Sequence, residues 1–440
     1  MTKLRVVRHG SFKTMDTTSI NEWINKEKCK MPSLPNLKNY IDLLIDANLV
    51  TLRDLSNAFR QVPLASADQK YLGYSIFGLK FMEKKQAYGI ASAAANCQSF
   101  SQILIWILNN HKYQIQWRNK ILVHIDDFVL AAKDEYSIKQ MTKIFDELCD
   151  ELNVKISVGK NIDFASEFEL YGFYFDLKLK TVSIPDGKYR RIIIFLEEAI
   201  KFRWISGRAL ENLCGKLMHW SQLRGASKSL LINTVIFIHQ RLRKVDNYKT
   251  TWFYLPDSII RDLKFWLSFS KIIKTVPMED IIRTPSVQII GASDACDYGG
   301  GFVIGRDWAY YRFIKRHEVN WVIAQKEAHA VMMLIHNMKH LITGRKVILL
   351  VDNQTLFWAM KRHWTKGSLM PFVYELSLMQ IKYKTWIWFE WIPTQYNVLA
   401  DSLSRFDLVS FKKWVRLQHY NMRAYPYPLK YVRNFELYTP

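Results

Sequence analysis

Two adjacent carboxylates, Asp126 and Asp127, interrupt an otherwise apolar stretch of the sequence. The flanks, Ile121–Val123 and Phe128–Leu130, are β-branched or bulky and predict two buried strands with the acids at the turn between them. Neighbouring carboxylates repel each other, and a chain tolerates the pair where solvent or a divalent cation neutralises it. A solvated turn and a metal site both satisfy this pattern.

A third aspartate, Asp54, closes a short apolar approach and is followed by small residues and Pro63. This context predicts a strand end that opens onto a cleft, and it equally suits the N-cap of a helix. Taken with Asp126 and Asp127, Asp54 completes the set that two-metal phosphoryl transfer needs, in which carboxylates hold cations about 3.5–4 Å apart.

Four more acids fall at the ends of predicted elements in the last third of the chain. Asp294 lies in an apolar strand before a glycine turn, and Glu327 lies near the start of a helix. Asp352 follows a buried strand of the parallel type, and Asp401 begins a late helix. Asp352 and Asp401 are equally typical of ordinary strand-end and capping acids.

The chain has 440 residues, which is long enough for two to four domains. Its helices and strands must position these acids. The region from 189 to about 285 has helical periodicity, and residues 208–223 place apolar side chains at three- and four-residue intervals. Past Pro285 the pattern changes to alternating strands and helices. The apolar stripe on the helix predicts core packing, with basic neighbours left facing outward.

Charge and cysteine content indicate which partners the chain binds and which structural classes it does not belong to. The formal net charge of +22 attracts polyanions, which favours nucleic acid over an anionic membrane surface because lysines and arginines are spread along the whole length. The five cysteines are far apart and never spaced CxxC, which indicates neither a disulfide framework nor a zinc site. No apolar run is long enough to span a bilayer, so we expect a soluble intracellular protein.

The pattern Asp-Leu-x-x-Ala-Phe-x-x-x-Pro-Leu at 54–64, followed by Ile-Asp-Asp at 125–127, resembles the palm of a reverse transcriptase. The resemblance implies that Asp54, Asp126 and Asp127 hold two Mg²⁺ ions, with Mn²⁺ as an alternative. It implies that Phe59 excludes a ribose 2′-hydroxyl and that Lys160 protonates the leaving pyrophosphate. Further substrate contacts implied by the resemblance are made by Tyr88 and Gly89 with template and nucleotide, and by Lys3 and Arg5 with the triphosphate.

The order Asp294, Glu327, Asp352, Asp401 resembles the four-carboxylate set of ribonuclease H, which implies a second pair of Mg²⁺ ions that cut RNA in a hybrid. The implied fold class is a multidomain α+β protein, a right-hand polymerase followed by an α/β ribonuclease H-like domain. The expected boundaries are partial fingers and palm at 1–185, helical thumb and connection at 186–285, ribonuclease H at 286–406, and a tail at 407–440. The resemblance is to enzymes of long-terminal-repeat or tyrosine-recombinase retrotransposons and of pararetroviruses.

Some positions depart from the family pattern. His124 stands where the family has tyrosine or phenylalanine, and Ala93-Ala94 stands where it has a residue followed by proline.

Asp297 competes with Asp294 for the first metal position. The helix-spaced pair His336 and His340 suits a solvated face better than a zinc site, because no third ligand is evident.

The implied function is an RNA-directed DNA polymerase with ribonuclease H activity. Its expected partners are an RNA template, a DNA primer, RNA–DNA hybrid and deoxynucleoside triphosphates, with no membrane. The expected location is the cytoplasm, including virus-like particles, or the nucleus. The alternative is a domesticated, non-catalytic nucleic-acid-binding protein that keeps the same fold.

Overall fold

The chain divides between two units in a computed structural model: Met1–Ser183 with Pro277–Ile282, and Ile184–Val276 with Arg283–Pro440. The expected four-part division stays a prediction. The residues that the structure describes are 10–11, 18–24, 29–110, 120–282, 289–314, 316–365, 367–417 and 423–424. Lys3 and Arg5 lie outside these residues.

The first unit combines antiparallel strands with helices. Its helices are α1 (Ile20–Trp23), α2 (Leu37–Leu44), α3 (Ser66–Gln69), α4 (Ala93–Asn110), α5 (Glu135–Glu151) and, after the chain returns, α10 (Glu279–Ile282). Its strands are β1 (Leu49–Asp54), β2 (Gly73–Ile76), β3 (Leu79–Met82), β4 (Ile121–His124), β5 (Asp127–Ala132), β6 (Ile162–Ala165), β7 (Glu167–Leu170), β8 (Phe173–Asp176) and β9 (Thr181–Ser183).

The central sheet of this unit has the order β4-β5-β1-β6 and carries the predicted hairpin. β5 is apolar and buried from Phe128 to Ala132, and α4 and α5 contribute buried side chains to the core beside it. The hairpin is therefore confirmed, with one shift. Asp127 is the first residue of β5 and pairs with His124, so the turn consists of Ile125 and Asp126 alone.

The second unit begins with long helices and ends in a mixed sheet. Its helices are α6 (Asp186–Phe202), α7 (Gly207–Trp220), α8 (Ile232–Gln240), α9 (Asp257–Ile273), α11 (Arg316–Val319), α12 (Ile323–Asn337), α13 (Lys339–Ile342), α14 (Gln354–Arg362), α15 (Met370–Lys382), α16 (Val398–Ser404) and α17 (Leu408–Leu417). Its strands are β10 (Trp204–Ser206), β11 (Trp252–Tyr254), β13 (Ile289–Ala295), β14 (Gly299–Ile304), β15 (Asp307–Arg312), β16 (Lys346–Val351), β17 (Trp386–Trp391) and β18 (Arg423–Ala424). A short strand, β12 (Thr275–Pro277), lies where the chain passes back to the first unit.

The mixed sheet has the order β17-β16-β13-β14-β15-β18. β13 and β14 form an antiparallel hairpin, while β13, β16 and β17 run parallel. The glycines at 299–301, which were expected to form the turn after Asp294, are instead the first residues of β14. The strand β16 follows α12 and α13 and precedes α14, and α12 is buried over most of its length. This arrangement brings the carboxyl ends of β13 and β16 to the same edge of the sheet.

The helical stripe at the start of the second unit is core, as predicted. Leu210, Leu213, Leu217 and Trp220 on α7 are all buried, and Lys216 on the opposite face is exposed. Among the described residues, none of the helices is both long enough and apolar enough to cross a membrane.

Candidate active sites

The first cluster of acids is assembled by two neighbouring strands and one turn. Asp54 ends β1 directly opposite Asp127, the first residue of β5, and Asp126 occupies the adjoining turn. One carboxylate oxygen from each of the three lies within 4.8 Å of the others. Asp54 is buried, Asp126 is half-buried and Asp127 is exposed, so the cluster opens to solvent on one side.

The turn that carries Asp126 is held by helix α4. Ile125 has a φ of +61°, a left-handed conformation that a β-branched side chain rarely adopts. Its N–H donates to Oε1 of Gln98 at 2.6 Å, and its carbonyl accepts from Oγ of Ser101 at 2.5 Å. The side chains of Gln98 and Ser101 are both buried, so they hold the strained turn from the interior of the protein.

Sequence reasoning missed Gln98 and Ser101. The available signal was two polar residues three apart on a helix whose other inward positions are apolar. Buried polar side chains such as Gln98 and Ser101 need hydrogen-bond partners inside the protein, and most such partners are backbone groups.

Lys160 is the cation of the first cluster. Its Nζ lies 3.0 Å from Oδ1 and 2.9 Å from Oδ2 of Asp54, and this hydrogen bond raises the pKa of Lys160. Burial, followed by repulsion from Asp126 and Asp54, raises the pKa of Asp127 to about 6, although part of its side chain is open to solvent. Burial and the charge of Asp54 also raise the pKa of Asp126. One lysine therefore does not neutralise three carboxylates.

The other predicted residues of this unit lie in separate contacts. Phe59 packs edge-on against Tyr88, with ring centroids 4.9 Å apart. Gly89 has a φ of +90°, and its carbonyl accepts a hydrogen bond from Asn21 at 3.1 Å. The ring of His124 lies 5.8 Å from that of Tyr171, which favours the interpretation that His124 replaces an aromatic wall residue.

The second cluster lies at the strand ends of the mixed sheet. Asp294 on β13, Glu327 on α12 and Asp352, directly after β16, place one carboxylate oxygen each within 4.8 Å of the others. Asp294 and Glu327 are buried, and Asp352 is half-buried. Because β13 and β16 are parallel neighbours, the two aspartates reach the same point, and α12 brings the glutamate to them.

Neutral groups, which sequence reasoning did not identify, orient these acids. Oγ of Ser404 donates to Asp294 at 2.7 Å, and Nδ2 of Asn353 donates to Glu327 at 3.2 Å. Burial is the main cause that raises the pKa of Asp294 to about 7 and that of Glu327 to about 8, and the hydrogen bonds from Ser404 and Asn353 act in the opposite direction. At neutral pH a proton therefore resides on this cluster when no cation is bound.

Asp401 is the fourth acid of the expected set, and its place in that set stays a prediction. It lies in the first turn of α16, as predicted, but its Oδ1 is 2.7 Å from Nε of Arg405, one helical turn away. Asp401 is not in the group of three acids whose carboxylate oxygens lie within 4.8 Å of one another. Its charge still raises the pKa of Asp294.

Asp297, and separately the helix-spaced histidines His336 and His340, were the other candidate metal ligands in this part of the sequence. Asp297 is a metal competitor in the sequence, yet its carboxylate is 3.0 Å from Nζ of Lys326 and does not join the three acids. Within the residues that the structure describes, His336 and His340 belong to no group of metal-ligating side chains. Both clusters thus offer oxygen ligands alone, the donors that hard divalent cations prefer.

Comparison with protein-family models gives two matches. Residues 2–175 match the model described as reverse transcriptase (RNA-dependent DNA polymerase), and residues 285–379 match the RNase H-like domain found in reverse transcriptase. The first match contains Asp54, Asp126, Asp127 and Lys160. The second contains Asp294, Glu327 and Asp352 and ends before Asp401.

Curated relatives are longer than this chain. A retrovirus-related Pol polyprotein from transposon 297 of Drosophila melanogaster is 21% identical over 392 residues, covering 85% of this chain and 33% of the relative. The Gag-Pro-Pol polyprotein of Mason-Pfizer monkey virus is 26% identical over 149 residues, covering 31% of this chain and 8% of the relative. The chain thus spans a third or less of the length of these relatives.

Comparison with solved structures matches two complexes of the foamy viral protease-reverse transcriptase. The complex with double-stranded DNA has a TM-score of 0.47 at 12% identity, covering 85% of this chain and 61% of that one. The complex with RNA/DNA hybrid has a TM-score of 0.46 at 13% identity, covering 83% and 47%. The two family matches, each containing one cluster of acids, confirm the predicted resemblance: residues 2–175 are similar to reverse transcriptases, and residues 285–379 are similar to the RNase H-like domain found in them.

Proposed function

We propose that this chain copies RNA and DNA templates into DNA and cuts RNA in RNA–DNA hybrids. The observation that carries the proposal is the presence of three clustered carboxylates in each of the two family-matched segments. The polymerase reaction would join the primer 3′-oxygen to the incoming deoxynucleotide and release pyrophosphate. The second reaction would add water across a phosphodiester of the RNA strand.

Each cluster would hold two Mg²⁺ ions, or Mn²⁺ in their place. The ligands would be Asp54, Asp126 and Asp127 in the first cluster and Asp294, Glu327 and Asp352 in the second. Asp401 would join the second cluster once it is released from Arg405. When bound, such cations activate the attacking oxygen and stabilise the leaving oxygen.

Lys160 supports the proposed polymerase reaction because its raised pKa keeps it protonated beside Asp54. It can therefore donate a proton to the leaving pyrophosphate. Phe59, braced by Tyr88, would exclude a 2′-hydroxyl, and Gly89 would let backbone approach the nucleotide. Lys3 and Arg5 remain proposed triphosphate contacts.

The proposed partners are an RNA template, a DNA primer, the hybrid and deoxynucleoside triphosphates, in agreement with the charge of +22. In the proposed thumb, the exposed Lys216 on α7 would lie along the phosphate backbone of a duplex. Arg224 and Lys228 follow that helix, and their charged groups lie 3.5 Å and 5.6 Å from the ring centroids of Trp386 and Trp364. The proposed location is the cytoplasm or nucleus.

Primer extension tests this proposal directly. The intact chain, supplied with Mg²⁺, an RNA template and a labelled DNA primer, should lengthen the primer to the template end. Asp150→Asn, an exposed aspartate on α5, is the matched control and should extend normally. If hybrid binds but neither Mg²⁺ nor Mn²⁺ supports extension, the chain is a non-catalytic nucleic-acid-binding protein and the polymerase proposal fails.

A further inference from the structure

A two-stranded ribbon in the second unit exposes three large aromatic side chains on one face. In the antiparallel pair β10 and β11, Trp204 lies opposite Tyr254 and Ser206 lies opposite Trp252. Paired residues in antiparallel strands point to the same side, so these four share a face. Trp252, Trp204 and Tyr254 are 64%, 54% and 49% exposed, whereas Ile205 on the other face is buried.

The backbone around this ribbon is fixed. Beyond the strand pair, the N–H of Gly207 donates to the carbonyl of Thr251, and the N–H of Arg208 donates to that of Lys249, each at 3.1 Å. A Cβ at Gly207 would lie 2.3 Å from the carbonyl oxygen of Tyr248, so only glycine permits this approach. The exposed rings therefore stand on a rigid support.

The orientation of the rings is also constrained. Trp204 and Tyr254 meet edge to face, with centroids 5.7 Å apart. The guanidinium of Arg203 lies 5.4 Å from the centroid of the Tyr254 ring and donates to its hydroxyl at 2.8 Å. The rings thus hold preset positions, which lowers the entropy lost when a ligand stacks on them.

A cavity of about 390 Å³ adjoins the ribbon beside Trp252. Its polar lining includes Ser206, Arg208, Asn212, Lys249 and Thr250. Among the described residues that line it there are two cations and no carboxylate. Arg208 and Lys249 are both exposed, so they are available to an anionic group that enters the cavity.

We propose that this aromatic ribbon binds single-stranded nucleic acid. Bases would stack on Trp252 and Trp204, and a phosphate would lie between Arg208 and Lys249. Stacking of this kind needs bases that are not already stacked within a duplex, which is why an unpaired strand fits the face better than a double helix. The inference rests on the proposed function in one respect: the single strand would be an unpaired stretch of the template.

A second copy of this chain fits the face less well. Pairing two such faces would bring Arg208 and Lys249 of both copies together, and like charges oppose that contact. A nucleic-acid strand supplies both the flat rings and the negative charge that the surface lacks.

Fluorescence anisotropy with the intact chain in EDTA, where no catalysis occurs, tests the inference. The probes are a labelled single strand of about 12 nucleotides, within the site sizes of single-strand-binding folds, and a blunt duplex of the same sequence. Trp252→Ala and Trp204→Ala should each weaken single-strand binding by about 5- to 100-fold, while Trp252→Phe should keep most of the affinity. Duplex binding should stay within about twofold.

Two further measurements sharpen the test. Trp106→Ala removes a tryptophan on α4 that is 65% exposed, and it should leave single-strand affinity and melting temperature unchanged. Arg208→Ala and Lys249→Ala should each flatten the dependence of log affinity on log salt by about 0.7, as expected for one lost phosphate contact.

Unchanged single-strand affinity in Trp252→Ala, or an equal loss for single strand and duplex, would overturn the inference. A lower sedimenting mass in Trp252→Ala would also overturn it, because the face would then be an interface between copies. Absence of primer extension together with tryptophan-dependent single-strand binding would reject the proposed polymerase and leave this inference standing.

Discussion

The two acid clusters solve the same electrostatic problem in different ways. In the first, Lys160 forms an ion pair with Asp54, and the cluster is open to solvent at Asp127. In the second, neutral donors hold Asp294 and Glu327, and burial raises their pKa values to about 7 and about 8. Without a divalent cation, the negative charge of the first cluster is partly compensated by a lysine, and that of the second is compensated by bound protons.

This difference has consequences for how each cluster would take up a cation. A cation entering the first cluster competes with the charge of Lys160, whereas one entering the second must displace a proton. The two sites should therefore respond differently to mutation of neighbouring groups and to pH, even though both use oxygen ligands.

The largest expected effect is a crossed loss of activity. Asp126→Asn removes one charge from the first cluster, and should lower primer extension by about 10³-fold or more while hybrid cleavage changes less than about twofold. Asp352→Asn should do the reverse. Gel assays of both reactions on the same preparations measure the effect, with exposed Asp246→Asn as the control in the second unit. Loss of both activities in either variant would show that the clusters are not independent.

The next effect concerns the lysine that only the first cluster has. Lys160→Met should lower the extension rate by about 10²-fold, the lower range for loss of a general acid. It should also lower the Mg²⁺ concentration needed for half-maximal rate, because Asp54 loses its competing partner. Hybrid cleavage should not change.

Lys160→Arg separates the two roles of this side chain. Arginine keeps the positive charge beside Asp54 but cannot release its proton, so the Mg²⁺ requirement should stay normal while the rate stays low. A normal rate in Lys160→Arg would mean that charge alone is needed and that Lys160 is not the proton donor.

A smaller effect is expected from the neutral donor of the second cluster. Ser404→Ala removes the hydrogen bond that lowers the pKa of Asp294, so this pKa should rise. The acidic limb of the pH–rate profile for hybrid cleavage should then move upward by about one unit, the size expected for a hydrogen bond to a charged group. Ser402→Ala serves as the control, because Ser402 lies on the same helix and its hydroxyl donates to a backbone carbonyl and not to an acid of the cluster. An unmoved profile would mean that Asp294 does not limit the rate.

Much of both sites could be predicted from the sequence because the acids stand where apolar runs end. Asp54, Asp126, Asp294 and Asp352 all follow or interrupt strands whose composition is plain in the sequence. The strands and helices after Pro285 were also predicted from the sequence, including the buried strand of the parallel type that precedes Asp352. Local pattern was sufficient for these features because burial of a strand depends on its own side chains.

The rest depends on contacts between distant residues. The left-handed turn at Ile125 needs Gln98 and Ser101 on α4, and nothing in the hairpin itself requires them. The pairing of Asp401 with Arg405 is local, yet the sequence does not say whether that carboxylate prefers the arginine or the cluster. Such choices are decided by tertiary geometry.

The smallest effect is a difference in proton release. At pH 7, Glu327, with a pKa of about 8, is mostly protonated, and Asp294, with a pKa of about 7, is about half protonated. Mg²⁺ binding to the second cluster should therefore release between about one and two protons. Asp127, with a pKa of about 6, is mostly ionised, and the first cluster should release a small fraction of one. Isothermal titration calorimetry in two buffers of different ionisation enthalpy measures this number. Asp352→Asn isolates the first cluster, and Asp126→Asn isolates the second.

The raised pKa of Glu327 also determines how the free energy of unfolding changes with pH. A carboxyl whose pKa is higher in the folded chain stabilises the fold below its unfolded pKa, and that contribution is lost as pH rises through the folded value. For Glu327 the free energy of unfolding without cations should therefore fall between about pH 4.5 and about pH 8, and Mg²⁺ should restore it most at the upper end. Equal proton release from the two clusters, or stabilisation by Mg²⁺ that does not depend on pH, would remove the distinction between a lysine-compensated and a proton-compensated site.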